Sequence, residues 1–119
     1  MRHEIWIPYW HPTRLNAVRN RHWSAERAAK DRMARMIGTY ALANRVPRAA
    51  GRRRAALEVT FGPGQRRPDQ DAYDKLLLDS LKLCGMLTDD GARGLEGRLA
   101  VEFKRGPEWG TLLVLEDVP

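Results

Sequence analysis

Cysteine is nearly absent from this chain, which has one, Cys84, among its 119 residues. A single cysteine excludes an intramolecular disulfide framework and a cysteine-rich zinc site. Long apolar runs are also absent, because no stretch approaches the roughly 20 residues that a membrane-spanning helix needs. The first residues lack the extended apolar segment of a secretory signal. We therefore expect a cytoplasmic protein with no membrane partner.

Acidic residues are rare in the first half of the chain. Residues 1–54 carry thirteen Lys or Arg against three acids, whereas residues 55–119 carry eight basic and twelve acidic residues. The whole chain has a net charge of +6. Basic side chains release counterions when they bind phosphates, so this balance favours an anionic partner. We interpret the basic half as a binding surface beside a metal site; the alternative is a domain that neutralises its own charges.

Hydrophobic periodicity predicts a single α+β domain over residues 1–119. Apolar residues alternate in four segments and recur at helical spacing in two. The predicted order is β-α-β-α-β-β, a small mixed or antiparallel sheet of about four strands covered by two helices. Gly106-Pro107 is typical of a hairpin between the last two strands, while the order of strands in the sheet stays open. The predicted bounds are strands at Glu4–Trp10, Ala55–Phe61, Arg98–Lys104 and Thr111–Glu116, helices at Ser24–Asn44 and Asp71–Leu83, and a basic loop at 48–54.

A dense group of acids surrounds the second predicted helix. Asp69 and Asp71 lie where the loop meets the helix, and Asp89-Asp90 follow the turn after it. Side chains about one turn apart share a helix face, so the helix is predicted to carry one charged and one apolar stripe. The charged stripe comprises Asp71, Lys75, Asp79 and Lys82, and the apolar stripe comprises Tyr73, Leu76, Leu77, Leu81 and Cys84.

Each of these features taken alone has an ordinary structural explanation. Asp is common at helix N-caps, Asp-Asp-Gly forms turns, and a charged stripe often faces solvent. Together they are consistent with a carboxylate cluster for a hard cation, because Mg2+ is held by one or two protein carboxylates, water and substrate phosphate. A lysine nearby would stabilise the negative charge that develops during phosphodiester cleavage.

The segment RPDQDAYDKLLLDSLKLCGMLTDD resembles the RusA family of Holliday junction resolvases. The family signature is D-x-D-N-x-x-K, then a helical D-[AS]-L, a glycine and a D-D pair. The resemblance covers most of the chain, but it is strong only over residues 66–91. The positions that match in register are Asp69, Asp71, Lys75, Asp79-Ser80-Leu81, Gly85 and Asp89-Asp90, and Asn16 and His22-Trp23 are also similar to the family.

The resemblance implies a dimeric, magnesium-dependent endonuclease that makes paired symmetric nicks in four-way DNA junctions during recombination and repair. One position departs from the family, because Ala72 replaces the usual asparagine and removes an amide that would orient a ligand. This departure leaves open a catalytically silent protein of the same fold that binds junctions. The roles that the resemblance implies are metal binding for Asp69, Asp71 and Asp90, catalysis for these acids together with Lys75, and support for Asp79 and Asp89.

An arginine-rich surface is expected to bind the DNA backbone. Seventeen of the 21 basic residues are Arg, the side chain that pairs with phosphate in a bidentate geometry. An extended basic surface argues against the remaining alternative, a magnesium hydrolase of a small phosphorylated molecule. The candidate phosphate contacts are Arg14, Arg19, Arg21, Arg52, Arg53, Arg54, Arg66 and Arg67.

The remaining unusual residues have structural interpretations. His3, His11 and His22 show no metal-ligand spacing. His11 and His22 are expected on the surface or in turns, and the alternative for both is contact with phosphate. Most of the four tryptophans are expected in the core or between subunits. The alternative is that Trp10 or Trp23 is exposed and stacks on an unpaired base.

Overall fold

A computed structural model describes residues 1–18, 23–69 and 72–119, without the side chains of residues 16 and 23. Its elements confirm the α+β class and add one short helix, α1, to the predicted order. Within these ranges no helix combines the length and apolarity needed to cross a membrane. The elements are β1 (Arg2–Pro8), α1 (Leu15–Val18), α2 (Trp23–Ala43), β2 (Arg53–Phe61), α3 (Asp74–Leu83), β3 (Ala100–Arg105) and β4 (Gly110–Asp117).

The four strands form one mixed sheet in the order β1-β4-β2-β3. Strand β4 is antiparallel to both β1 and β2, and β3 is parallel to β2. The segment β2-α3-β3 is therefore a βαβ crossover, and the predicted hairpin between β3 and β4 is wrong because β2 lies between them. The edge strand β3 has no buried residue, whereas the inner strand β4 buries Leu113 and Leu115.

Helices α2 and α3 cover one face of the sheet. The apolar stripe predicted for α3 is buried, except that Cys84 is only partly covered. Both helices end with a residue in the left-handed conformation, Arg45 after α2 and Gly85 after α3. In each case the two hydrogen bonds typical of such an ending close the last turn. This confirms Gly85 as the predicted C-terminal cap of α3, although α3 begins at Asp74 and not at Asp71.

Arg53 is the first residue of β2, and it is buried, with 1% of its surface exposed. Its guanidinium donates to the Asp117 carboxylate at 2.7 Å and to the carbonyls of Met86 and Pro47. His3 donates to the same carboxylate at 2.9 Å. The hydrogen bonds from Arg53 and His3 lower the pKa of Asp117 to about 2. The prediction that 48–54 is a basic loop is therefore wrong at its end, because Arg53 begins β2 and its side chain joins β2 to Asp117 on β4.

Candidate functional site

Three of the four strands end at the same side of the sheet. Strands β1 and β2 run in one direction because both are antiparallel to β4, and β3 is parallel to β2. The segments that follow these strands, residues 9–14, 62–69 and 106–109, therefore lie along one edge, which we call the C-terminal edge. In βαβ units such as β2-α3-β3, ligands bind beyond the carboxyl ends of the parallel strands, so a ligand is expected at this edge.

Asp69 lies at the C-terminal edge, in the loop that leads from β2 to α3. Its side chain is exposed, and its carbonyl accepts the N–H of Ala72 at 3.1 Å. The Ala72 carbonyl in turn accepts the N–H of Leu15, and Arg14 donates to the Arg66 carbonyl at 3.0 Å. These bonds join the segment after β1 to the loop that carries Asp69, Arg66 and Arg67. Asp71, the acid two residues further on, lies outside the described residues.

Arg105 holds the base of the same loop. Its guanidinium donates to the carbonyls of Gly62 and Gln65 at 2.9 and 3.0 Å, and the Gln65 side chain accepts the N–H of Gly62. Arg105 belongs to none of the sequence motifs. The only local signal was its place at the end of a predicted strand, because its partners lie about 40 residues earlier in the chain.

His11 has a structural role at this edge. Its Nε2 donates to the Thr60 carbonyl at 2.8 Å, and its ring packs between Phe61 and Trp109. Burial lowers the pKa of His11, and the nearby positive charge of Arg14 lowers it further. A neutral, hydrogen-bonded imidazole orders the edge and does not provide a positive charge for phosphate.

Lys75 lies in the first turn of α3 and is paired with an acid that the sequence analysis did not assign. Its Nζ is 3.3 Å from Oε1 of Glu26 on α2. The same carboxylate oxygen is 3.4 Å from Nζ of Lys30, which is 2.8 Å from Oδ2 of Asp79. The Lys75 hydrogen bond is the main cause that lowers the pKa of Glu26. The predicted charged stripe of α3 therefore connects to α2 through alternating charges.

Asp89 and Asp90 lie at the other end of α3. Asp89 is 3.8 Å from Lys82 in the last turn of the helix, and its carboxylate accepts the N–H of Asp90. The loop closes tightly, since a Cβ on Gly94 would lie 2.2 Å from the Asp89 carbonyl oxygen. The Gly94 carbonyl accepts the N–H of Arg53 at the start of β2, which fixes this loop at the sheet edge opposite to Asp69.

Asp69 and Asp90 therefore do not share a site within one chain. The ten residues of α3 separate them by about 15 Å at 1.5 Å per residue. From Arg53 to Phe61, β2 spans roughly 26 Å at about 3.3 Å per residue. Among the residues that the structure describes, no group of three or more His, Cys, Asp or Glu side chains is arranged to hold a metal ion.

The six candidate phosphate contacts that the structure describes fall into three groups. Arg66 and Arg67 are exposed at the C-terminal edge beside Arg14. Arg52 and Arg54 pair with Glu96, and Arg54 also pairs with Glu116. The prediction that Arg53 contacts DNA is not met, because its side chain is buried against Asp117. The candidates outside the described residues are Arg19 and Arg21, as is His22 of the family-like pair.

Comparison with known proteins adds no assignment, since no protein-family model matches the chain and no curated protein matches it significantly.

Proposed function

We propose that this protein is a magnesium-dependent endonuclease that cuts four-way DNA junctions, the activity that its resemblance to the RusA family implies. The observation that carries the proposal is the position of Asp69 at the C-terminal edge. The start of α3, with Lys75 in its first turn, lies on one side of this acid, and Arg66 and Arg67 lie on the other. An acid beside exposed arginines is the arrangement needed to hold a cation against a phosphodiester.

The side chains have separable roles in this proposal. Arg66, Arg67 and Arg14 bind phosphates on either side of the cut and set the register of the strand. Asp69 and Asp71 hold the cation, which when bound supplies positive charge to the phosphodiester and lowers the pKa of water. Lys75 neutralises charge that develops on the phosphate during cleavage. When no substrate is bound, the Glu26 carboxylate keeps the Lys75 ammonium in position, with Oε1 of Glu26 3.3 Å from Nζ of Lys75.

Asp90 enters this site through a second copy of the chain. Asp69 and Asp90 of one chain lie at opposite ends of α3, so a site that contains both takes each acid from a different chain. A two-fold axis creates two such sites, because any contact of one protomer is repeated by its partner. Two equivalent sites match a four-way junction, in which two strands of the same polarity are cut symmetrically.

The test is cleavage of a synthetic four-way junction and of a linear duplex with the same sequences, each with and without Mg2+. The expected result for the wild type is paired nicks on the junction only, dependent on Mg2+ and lost in Asp69→Asn. The matched control is Asp31→Asn, which removes an exposed carboxylate from α2 and is expected to leave cleavage unchanged. Equal cleavage of duplex and junction would contradict the proposed substrate.

A junction-binding protein without catalysis is the second candidate, and two observations favour it. Ala72 lacks the amide of the family signature, and within one chain Asp69 and Asp90 are apart. For such a protein, junction binding would be tight and salt-dependent, with no nicks in Mg2+ or Mn2+. Asp69→Asn would then leave binding intact, because no cation site is needed.

A further inference from the structure

Tyr9 has an exposed aromatic ring and a backbone conformation that is unfavourable for tyrosine. The residue directly follows β1 and has φ +52° with 67% of its surface exposed. The left-handed region is unfavourable for a residue with a Cβ, because the Cβ comes too close to the following carbonyl oxygen. Arg45, the other non-glycine residue in this region among those described, ends a helix, where the conformation is expected. No helix ends at Tyr9, so a reason for tyrosine at this position has to come from its ring.

The ring of Tyr9 is supported from below by Trp109. The Tyr9 N–H donates to the Trp109 carbonyl at 3.0 Å, and the two rings meet edge to face with centroids 5.5 Å apart. Trp109 lies against Gly62 so closely that a Cβ there would be 2.9 Å from the indole Cδ1. Trp109 also contacts His11, which is hydrogen-bonded to Thr60. The exposed Tyr9 ring therefore packs on an ordered stack that consists of the Trp109 and His11 side chains.

The neighbours of this stack are mostly basic. The Gly62 carbonyl accepts a hydrogen bond from Arg105, and the loop that starts at Gly62 leads to Arg66 and Arg67. Glu108, next to Trp109 in sequence, is the exposed acid of the segment after β3. An exposed aromatic ring beside cationic side chains is the combination that binds single-stranded nucleic acid, since the ring stacks on a base while the cations bind its phosphates.

We propose that Tyr9, supported by Trp109, is a stacking subsite for an unpaired nucleobase of the DNA bound along the C-terminal edge. The inference rests on the proposed function for its ligand, and it names a side chain that the motif does not contain. Trp10, for which stacking was the alternative sequence interpretation, instead packs partly buried against the core. Leu42 is even more exposed than Tyr9, at 81%, but it lies on α2, away from this edge.

The experiment compares wild type with Tyr9→Gly and Tyr9→Phe. Glycine adopts positive φ without strain, so Tyr9→Gly is expected to retain or raise thermal stability while it removes the ring. Affinity is measured in EDTA for a four-way junction, a duplex with one unpaired base and a fully paired duplex. We expect Tyr9→Gly to weaken binding to the first two by roughly 5- to 160-fold, the range for the loss of one stacked base. Fully paired duplex should bind unchanged, and Tyr9→Phe should behave as wild type.

A fluorescent 2-aminopurine at the unpaired position gives an independent readout. Stacking on Tyr9 quenches its emission in the wild-type complex, and Tyr9→Gly is expected to abolish that quenching at saturating protein.

Gly62→Ala tests whether Trp109 holds the Tyr9 ring in position, because the added methyl displaces the Trp109 indole. Gly62→Ala should weaken binding to the unpaired base, whereas the control variant Leu42→Ala should not. Unchanged junction affinity in Tyr9→Gly, or an equal loss on paired duplex, would overturn the subsite and leave the proposed function standing. Failure of the wild type to bind any DNA would overturn both.

Discussion

At the scale of single residues, Asp117 links pH to stability. Its folded pKa of about 2 lies below the ordinary value of 3.8, so its contribution to stability is present above pH 4 and is lost as the pH falls towards 2. Asp117→Asn leaves the guanidinium of buried Arg53 without its carboxylate partner. Because the Asp117 side chain is 42% exposed, solvent screening limits the expected loss to about 1–2 kcal/mol in the free energy of unfolding at pH 7.

Urea unfolding at several pH values measures this contribution. The difference between wild type and Asp117→Asn should shrink between pH 4 and pH 2, because the wild-type carboxylate becomes protonated over that range. Asp31→Asn serves as the control for loss of an exposed carboxylate. A difference that stays constant down to pH 2 would show that the ion pair with Arg53 is not its source.

The arginines of the C-terminal edge and those near Glu96 are expected to differ in DNA binding. Arg66 and Arg67 are exposed, whereas Arg54 is bonded to Glu116 and Glu96. Each phosphate contact contributes about 0.9 to the slope of log affinity against log salt. Arg66→Ala and Arg67→Ala should therefore each flatten the slope by about that amount, and Arg54→Ala should leave it unchanged. A similar flattening in Arg54→Ala would place the DNA on the opposite edge of the sheet.

At the scale of elements, local patterns predicted the helices and strands well because burial follows a period within each segment. The apolar stripe of α3 is an example, as is the cap at Gly85. Pairing between distant segments left no such signal. The run Arg52-Arg53-Arg54 predicted a basic loop. The carboxylate that pairs with the buried Arg53 side chain lies 64 residues away in the chain, so no local pattern indicated that Arg53 is buried. The apparent hairpin at Gly106 was wrong for the same reason, since β4 pairs with β2.

The candidate site was predictable to a similar extent. The position of Asp69 before α3 followed from the loop-to-helix pattern. The partner of Lys75 did not, because Glu26 lies on another helix, about 50 residues earlier in the chain. The separation of Asp69 from Asp90 depends on the direction in which α3 returns along β2, and that direction is a property of the assembled sheet.

Ser80 gives a prediction about the packing of α2 against α3. It is fully buried, it donates to the Leu76 carbonyl at 2.7 Å, and its hydroxyl is 3.3 Å from the Lys30 carbonyl on α2. Ser80→Leu should lower the free energy of unfolding by about 1–3 kcal/mol, because a larger side chain forces the helices apart. Ser80→Ala should cost about 1 kcal/mol or less. Urea unfolding of both variants checks this, and a stable Ser80→Leu protein would mean that the interface adapts to the added volume.

At the scale of the whole molecule, the two acidic groups occupy opposite ends of one βαβ unit. The helix that joins them is too long for any local rearrangement of Asp69 or Asp90 to bring the carboxylates to one cation. The same distance is no obstacle between two chains, because a two-fold axis can bring the start of one α3 to the end of the other. Dimerisation would then be a condition of catalysis and not only of junction symmetry.

Mixing two inactive variants distinguishes a shared site from a site within one chain. Asp69→Asn and Asp90→Asn are each expected to abolish cleavage, and co-refolding them in equal amounts should produce heterodimers in about half of the population. If each site draws Asp69 and Asp90 from different chains, every heterodimer has one intact site. Junction nicking should then return to about a quarter of the wild-type rate, as single nicks rather than paired ones. If both acids came from the same chain, every site in the mixture would lack one of them and no cleavage would return, the result also expected for the control mixture of differently tagged Asp69→Asn chains.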